Sequence, residues 1–354
     1  MAPANVVETG PHWPAEWEPQ EAVWLSWPLR DDLWTEDLAE LQCCFGRLAA
    51  VIANHAEVRI NAVVAAHDRI AAQLREAGVA DDRWRLFDHP TDDVWCRDHG
   101  PIFVRRADAL GLAVTDWQFN AWGGKFPPWD RDNEVPARVA ESLSLPRQSS
   151  PLFLEGGAIE GNGDGLLITT EAVLLNHNRN PDWSASGIGE ELRRLLGVRA
   201  VFWLGQGLEG DDTDGHVDDM VRFVKHDAVV AVTERHERDP NHRILRENHE
   251  RLQDLRTCGG SRVEVIDLPL PEPVASGREG WRLERLPASY ANFLICNDLV
   301  LVPTFDQPRA DDRGLGILRE CFPRHQVTGF DARLLLAEGG AIHCVTQQQP
   351  ASPA

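Results

Sequence analysis

Basic side chains are scarce in this sequence relative to acidic ones, with 35 Lys and Arg against 56 Asp and Glu and a formal net charge of −21. A surface of this sign repels a phosphate backbone, which argues against a nucleic-acid partner, and it attracts a small cation. No stretch approaches the roughly twenty apolar residues that a membrane-spanning helix requires. The first residues also lack the basic and apolar regions of a signal peptide. We therefore expect a cytoplasmic protein that binds neither nucleic acid nor a membrane.

Paired cysteine motifs are also absent. The seven cysteines contain no C-x-x-C pair, and the adjacent Cys43 and Cys44 suit neither a zinc site nor a disulfide framework. We therefore expect reduced thiols. Tyrosine occurs only once, against thirteen tryptophans, most of which we expect to fill core positions.

Strand-like and helix-like segments alternate along the whole chain. Hydrophobic periodicity predicts helices over Asp68–Ala77, Glu190–Leu196, Asn241–Leu255 and Gly314–Cys321, and another that Thr35 caps. It predicts strands over Ile102–Val104, Leu112–Trp117, Leu166–Thr170, Ala172–Leu175 and Ala200–Leu204, and a hairpin turned at Asn297-Asp298. No linker stands out, so we expect one domain over residues 1–354 with a loose tail from Gln349 to Ala354. The alternation is typical of a doubly wound parallel sheet, and the pattern leaves that arrangement open.

One glycine motif must be tested as a nucleotide site. Gly205-Gln-Gly207-Leu-Glu-Gly210 follows a predicted strand and has the dinucleotide-binding spacing. That motif requires a helix directly after it, whereas an acidic run without helical periodicity follows here. The run places its glycine at the wrong position for a calcium-binding EF-hand, and it lacks the ligand set of a transition-metal site. We expect a glycine-rich turn and no metal.

Four separated motifs carry acids, a histidine and a cysteine that suit one chemistry together. They are Trp95–Pro101 with Asp98, Leu154–Gly157 with Glu155, His216-Val-Asp218, and Gly339–Pro350 with Cys344. Two carboxylates can hold a planar guanidinium from different sides, and a thiolate can attack its central carbon. A histidine can transfer the protons, and a third group can orient it. We expect His216 and Asp218 to share one face of an extended segment, because side chains two apart in a strand point the same way.

The ordered motifs resemble those of agmatine deiminases, within the peptidyl-arginine deiminase-like branch of the pentein superfamily. The resemblance covers most of the chain and runs over Trp13–Trp17, Val23–Pro28, Trp95–Pro101, Phe119–Lys125, Leu154–Gly157, Asn176–Pro181, Asp212–Asp219, Ser289–Phe293 and Gly339–Pro350. It implies an α/β propeller of five ββαβ-like modules with pseudo-fivefold symmetry around a central funnel. It also implies a homo-oligomer, a dimer or larger, and the motifs carry no cofactor-binding residues.

The same resemblance implies roles for individual residues. Cys344 matches the nucleophile that forms an amidino-cysteine intermediate, and His216 matches the general acid and base. Asp98 and Asp218 match the guanidinium ligands, and Glu155 matches the partner of His216. Trp95 and Trp122 match substrate-contacting positions.

The resemblance also bears on the substrate. Members that act on C-terminal arginine carry arginines just after the position of Asn120, whereas Ala121-Trp122-Gly123-Gly124 follows here. A substrate without a carboxylate, such as agmatine, suits this sequence better, and its two positive charges agree with the acidic composition. The product would be N-carbamoylputrescine.

Three positions depart from the family pattern: Ala341, Cys96 and His99. They remove no catalytic group but can tune the pocket for a different guanidino compound. Two further alternatives stay open at this point. One is an amidinotransferase that passes the same intermediate to an amine, and the other is a relative that has lost activity.

Overall fold

A computed structural model of the chain describes residues 10–33, 38–106, 111–275 and 285–352. Within these ranges the helices, named α1 to α11 in chain order, are Leu38–Ile52, His67–Glu76, Cys96–His99, Ala121–Gly124, Asp130–Asn133, Val135–Ser142, Glu171–Leu174, Ala185–Leu196, Pro240–Leu252, Pro308–Cys321 and Arg333–Leu336. The strands, named β1 to β18, are Gln20–Ser26, Glu57–Ala62, Trp84–Asp88, Ile102–Arg105, Leu112–Gln118, Arg147–Phe153, Ile159–Gly161, Leu166–Thr170, Ala200–Leu204, Val221–Lys225, Ala228–Thr233, Glu264–Pro269, Val274–Ala275, Arg285–Leu286, Leu294–Cys296, Leu299–Thr304, Gln326–Asp331 and Gln347–Pro350.

The strands form small mixed sheets rather than one doubly wound parallel sheet. Five sheets share one topology, an antiparallel pair followed by a parallel strand: β18-β1-β2, which β3 extends, then β4-β5-β6, β7-β8-β9, β10-β11-β12 and β15-β16-β17. Each parallel strand is reached through a connection that contains a helix, as a parallel crossover requires. β13 and β14 form a separate two-stranded ribbon. The fold is therefore mixed α/β.

Helix α8 illustrates why these segments fold as they do. The Ser184 hydroxyl accepts a hydrogen bond from the Gly187 amide at 3.2 Å, which caps the first turn. Ile188, Leu192 and Leu195 then recur at helical spacing and are fully buried. Gly197 ends the helix in the left-handed conformation, with φ +72°. The helix begins five residues before the predicted Glu190, because its first turns are rich in small residues that carry no hydrophobic signal.

Most predicted elements are confirmed to within a few residues, including the hairpin at Asn297-Asp298. The predicted strand over Ala172–Leu175 is wrong, because the segment forms α7. The Thr170 side chain accepts a hydrogen bond from the Val173 amide and so caps a short helix. The cap predicted at Thr35 lies outside the described residues.

The loose tail predicted from Gln349 is also wrong in its first residues. Gln347–Pro350 form β18, which pairs with β1 in an antiparallel register. The Gln349 side-chain oxygen accepts hydrogen bonds from Trp24 Nε1 at 2.9 Å and from Arg59 Nη1 at 2.7 Å. This pairing joins the first and last strands of the described chain, and it fixes the segment that carries Cys344.

In the part of the chain that the structure describes, none of the helices is both long enough and apolar enough to cross a membrane.

Candidate active site

Four of the residues that the sequence singled out line one cavity: Trp95, Asp98, Trp122 and Cys344. Its other lining residues are Leu33, Asp93, Phe126, Asp212, Thr213, Glu338, Gly339 and Gly340. Of the twelve described lining residues, none is Lys or Arg, whereas four are acidic: Asp93, Asp98, Asp212 and Glu338. The cavity is therefore suited to an organic cation with an apolar stem.

Cys344 lies between α11 and β18 and is 5% exposed. Its Sγ lies 3.1 Å from the Asn292 side-chain nitrogen, and Asn292 Oδ1 accepts hydrogen bonds from the amides of His343 and Cys344. A Cβ atom on Gly340 would collide with the Trp95 ring and would lie 3.1 Å from Cys344 Cβ. The glycine thus allows the backbone to pass close to Trp95, and Asn292 fixes the sulfur.

The electrostatic surroundings keep the Cys344 thiol protonated in the unliganded protein. Burial raises its pKa well above the ordinary value, and the nearby Asp218, Asp219 and Asp98 raise it further. A bound cation would offset the charge of these carboxylates. A positive ligand therefore makes the Cys344 thiol easier to deprotonate.

Asp98 lies in the short helix α3 and is held by two donors. Its Oδ1 accepts from the Gly157 amide at 3.1 Å, and its Oδ2 accepts from Trp122 Nε1 at 3.0 Å. Burial raises the pKa of Asp98 to about 6 in spite of the nearby His216. Both oxygens are thus oriented by neighbours that keep one face of the cavity rigid.

Trp122 reaches Asp98 from an unusual backbone conformation. Ala121 and Trp122 have φ angles of +49° and +56°, a region that residues with a side chain rarely adopt. Gly123 follows at φ +89°, and a Cβ there would collide with the Asn178 side chain. The Asn120 side chain stabilises the turn by accepting from the Gly123 amide at 2.8 Å. This strained backbone conformation directs the indole N–H towards the Asp98 carboxylate.

His216 and Asp218 come together, but not on an extended segment as predicted. Val217–Asp219 form a 3₁₀ turn, preceded by Gly215 at φ +123°. The His216 amide donates to Asp211 Oδ2 at 3.0 Å and to Thr213 Oγ1 at 3.1 Å. These local hydrogen bonds bend the chain and leave no strand pairing at this point.

The His216 ring is buried among carboxylates without a close partner. Its Nδ1 lies 3.7 Å from Asp98 Oδ1, and its Nε2 lies 4.0 Å from Glu155 Oε2. Neither Nε2 nor Oε2 has a hydrogen-bond partner among the described residues. Burial alone would lower the pKa of His216, but the charges of Asp98, Asp218 and Glu155 outweigh it and raise the pKa. The ring is therefore held mainly by charge.

Glu155 follows β6 and is fixed by an arginine that sequence analysis gave no role. Arg179 Nε donates to Glu155 Oε1 at 2.5 Å, and Arg179 Nη1 donates to Asp214 Oδ2 at 2.9 Å. The Arg179 side chain is fully buried. It fixes one oxygen of Glu155, so the other remains available to the histidine.

Asp218 has one engaged oxygen and one unengaged oxygen. Oδ2 lies 2.7 Å from His343 Nδ1 and 3.5 Å from Asn292 Nδ2, whereas Oδ1 has no hydrogen-bond partner among the described residues. Burial by itself would raise the pKa of Asp218, but the hydrogen bond with His343 and its charge lower the pKa. Asp218 thus stays ionised, with one oxygen available for a ligand.

Gly157 lies where these groups converge. A Cβ at this position would lie 2.6 Å from His216 Nδ1, 2.9 Å from Asp98 Oδ1 and 3.1 Å from Asp218 Oδ2. Real Cβ atoms essentially never approach other atoms as closely as the first two distances. The absence of a side chain therefore lets the two carboxylates and the imidazole share one small volume.

We expect Gly157→Ala to lower the rate of a reaction at this site by about 100-fold, because the added methyl group must displace His216 or Asp98 by about 1 Å. The matched control is Gly189→Ala, since a Cβ at Gly189 in α8 would meet nothing within 4 Å. Steady-state rates and thermal unfolding of both variants check this. A Gly157 variant with the rate of the control would show that this contact is unimportant.

The glycine motif and the acidic run have no cofactor geometry. Gly205–Gly210 form a loop after β9, and a 3₁₀ turn at Val217 is the next helical element in this described region. A phosphate-binding helix N-terminus is therefore missing from the motif. A search of the described residues finds no group of three or more His, Cys, Asp or Glu placed to hold a metal ion.

Four further residues of the site were not predicted from the sequence: Gly157, Arg179, Asn292 and His343. Each lies in one of the motifs that carry the resemblance, so the motif boundaries were the available signal. Their roles depend on contacts between distant segments, such as the 52 residues that separate Asn292 from Cys344. Such contacts leave no local pattern in the sequence.

Known proteins resemble the chain over almost its full length. The family model of the Porphyromonas-type peptidyl-arginine deiminase matches residues 12–350. An agmatine deiminase of Stutzerimonas stutzeri (strain A1501) is 40% identical, with 97% of this chain and 96% of that protein covered. An agmatine deiminase of Medicago truncatula is 38% identical, with 97% of each covered. The structure of an agmatine deiminase of Enterococcus faecalis, described as catalysing its reaction, superimposes with a TM-score of 0.90 at 29% identity over 100% of this chain and 99% of that one.

Proposed function

The chain belongs to the Porphyromonas-type peptidyl-arginine deiminase family, and we propose that it hydrolyses agmatine to N-carbamoylputrescine and ammonia. The observation that carries this proposal is the single cavity in which Cys344 and Asp98 lie beside two tryptophans and further acids, with no Lys or Arg among the described lining residues. The extensive similarity to agmatine deiminases of a bacterium and a plant supports the same substrate.

The guanidinium group is held by Asp98 and Asp218. The two carboxylates flank the site of Gly157, and Asp218 Oδ1 has no other hydrogen-bond partner among the described residues. A planar cation with several N–H donors can bind both acids at once. Trp95 and Trp122, whose rings lie 6.4 Å apart in an edge-to-face arrangement, supply aromatic surface to the bound substrate.

The cavity wall favours a substrate whose other end is also cationic. Besides Asp98, three acids line it: Asp93, Asp212 and Glu338. The carboxylate of free arginine would meet these acids, and no Lys or Arg among the described lining residues would compensate it, which is costly. A primary ammonium group on a four-carbon stem meets complementary charge instead.

The chemistry proceeds through a covalent intermediate on Cys344. The Cys344 thiol gives its proton to His216, and the thiolate attacks the guanidinium carbon. A C–S bond forms, the C–N bond to one terminal nitrogen breaks, and His216 returns the proton with which that nitrogen leaves as ammonia. His216 then removes a proton from water, which attacks the same carbon. The C–S bond breaks, the thiol is restored, and the carbon retains the oxygen as N-carbamoylputrescine. Glu155, fixed by Arg179, stabilises the charged form of His216.

We further propose that the five sheets of common topology are the modules of a propeller with pseudo-fivefold symmetry around the cavity. The repeated order of an antiparallel pair and a parallel strand supports this arrangement. The family match over residues 12–350 supports one catalytic domain. The homo-oligomeric state and the cytoplasmic location stay predictions, which light scattering and cell fractionation can test.

The test is incubation of the protein with agmatine and no other amine. We expect stoichiometric release of ammonia and N-carbamoylputrescine, and a kcat/KM for agmatine at least about 100-fold above that for arginine, because of the uncompensated carboxylate. An arginine-terminated peptide serves as a second comparison. Ammonia release that depends on an added acceptor amine would indicate an amidinotransferase, and a preference for arginine would contradict the proposed substrate.

A further inference from the structure

His343 lies between two buried carboxylates. Its Nδ1 is 2.7 Å from Asp218 Oδ2, and its Nε2 is 2.9 Å from Glu16 Oε2. All three side chains are less than one-tenth exposed. The contact with Glu16 joins residues 327 positions apart in the sequence. His343, which precedes Cys344 in the chain, therefore connects the proposed guanidinium ligand Asp218 to Glu16, which lies near the start of the sequence.

Glu16 is fixed at the far side of this contact. Its Oε2 also accepts from Arg222 Nη2 at 2.7 Å, and its Oε1 accepts from the Ile295 amide at 2.6 Å. Burial alone would raise the pKa of Glu16, but Arg222 and His343 outweigh it and lower the pKa far below its ordinary value. Arg222 is itself held by Glu160 at 2.9 Å. Glu16 is thus an ionised, immobile acceptor.

The two contacts of the His343 ring require a hydrogen between Nδ1 and Asp218 Oδ2. A neutral imidazole has one N–H and can donate to one acceptor only. Glu16 is an anion and takes the hydrogen on Nε2, so the contact of 2.7 Å at Nδ1 needs a second hydrogen. Burial, Arg222 and Arg97 lower the pKa of His343 below its ordinary value, and Glu16 and Asp218 offset this only in part. Because the pKa of Asp218 is also lowered, the hydrogen lies on His343 Nδ1 and Asp218 stays ionised.

We propose that His343 is the positioning residue for Asp218: by engaging Oδ2 it holds the carboxylate in the orientation that leaves Oδ1 for the guanidinium group. This inference rests on the proposed function, because it assigns Asp218 to the substrate. It also explains why Asp218 remains an anion although it is fully buried. Glu16, which is itself held by Arg222, fixes the imidazole. The ring therefore cannot follow Asp218 if the acid rotates.

Two substitutions separate the two contacts of His343. Asparagine places an amide nitrogen at the position of Nδ1, and glutamine places one at the position of Nε2. His343→Asn therefore keeps the donor to Asp218 and loses the donor to Glu16, whereas His343→Gln does the reverse. Both variants leave one buried partner unsatisfied, so a purely structural role predicts similar effects for both.

The experiment measures binding calorimetrically, with Cys344→Ser as the parent protein so that no turnover occurs. The probes are agmatine and methylguanidinium, which share the guanidinium group and differ in the tail. We expect His343→Gln to weaken binding of both probes by roughly 10- to 100-fold, and His343→Asn by less than about fivefold, since only the first loses the hydrogen bond to the carboxylate that holds the guanidinium group. Equal losses in the two variants would overturn the inference.

The pH dependence of binding gives a second readout. In the parent, binding weakens as the pH falls through the pKa of Asp98, about 6. Without a donor at Oδ2, burial raises the pKa of Asp218, so His343→Gln should lose affinity at a higher pH than the parent or His343→Asn. His89→Gln is the matched control, because His89 is a buried histidine bonded at both nitrogens to Asn61 and Ser142. It should lower thermal stability without moving this midpoint.

The outcomes separate this inference from the proposed function. If methylguanidinium binds the parent and agmatine does not, the proposed substrate is wrong, and the ratio between the Gln and Asn variants still tests His343. If neither probe binds, the assignment of Asp218 to a guanidinium fails, and the inference fails with it.

Discussion

Cys344→Ser should reduce ammonia release from agmatine by at least about a thousandfold, or about 4 kcal/mol of activation free energy. A hydroxyl is far harder to deprotonate than a thiol, and the carboxylates around this position raise the pKa of any acid there. The fold should survive, because the side chain is small and Asn292 Nδ2 can donate to an oxygen as it does to Sγ. Initial rates and thermal unfolding of the purified variant measure both effects.

Cys296→Ser is the matched control, because Cys296 is also buried but lies in β15 and does not line the cavity. It should lose stability and keep its rate per folded molecule. In the unchanged protein, acid quenching during turnover should trap Cys344 with a mass increase equal to agmatine less ammonia. Turnover by the Cys344 variant at the normal rate, or an adduct on another residue, would rule out the proposed nucleophile.

Asp98→Asn should lower kcat/KM by about 100- to 1,000-fold. The substitution removes one of the two charges that hold the guanidinium, and a charged hydrogen bond contributes roughly 1.5–3 kcal/mol. It also turns an amide N–H toward either Gly157 or Trp122, both of which donate to Asp98. Because the pKa of Asp98 is about 6, the unchanged enzyme should lose kcat/KM as the pH falls through that value, when the carboxylate gains a proton.

The pH profile of the Asn variant distinguishes loss of charge from loss of shape. That variant has no acid to titrate at this position, so its low rate should not decline further around pH 6. Asp116→Asn is the control, since Asp116 is a buried acid paired with Arg147 outside the cavity. A decline near pH 6 that persists in Asp98→Asn would assign the titration to a different group.

The sequence predicted five site residues that the structure brings together, but it did not predict the residues that orient them. The structure brings the five predicted groups into one buried region: Asp98, Glu155, His216, Asp218 and Cys344. Asn292, His343 and Glu16 act through contacts that span 52 to 327 residues. No periodicity or spacing encodes such a contact, because it is created only when the sheets assemble.

Local errors in the sequence predictions also have physical causes. Ala172–Leu175 is apolar enough for a strand, but the cap from Thr170 turns it into α7. The His216-Val-Asp218 segment has strand-like alternation, yet Asp211 and Thr213 capture its first amide and bend it. In both places polar side chains outside the predicted segment decided the conformation. Hydrophobic periodicity did not show the repeated sheet topology, which only the family resemblance implied, because each sheet combines antiparallel and parallel neighbours.

The pairing of β18 with β1 has a consequence for how activity arises during synthesis. β1 lies near the start of the chain, and its partner strand follows the nucleophile near the end. A ribosome-bound chain that has not yet produced residues 343–350 lacks Cys344, His343 and the strand that completes this sheet. The nucleophile and the strand that completes this sheet are therefore synthesised together, so activity and completion of the first sheet should arise in the same step.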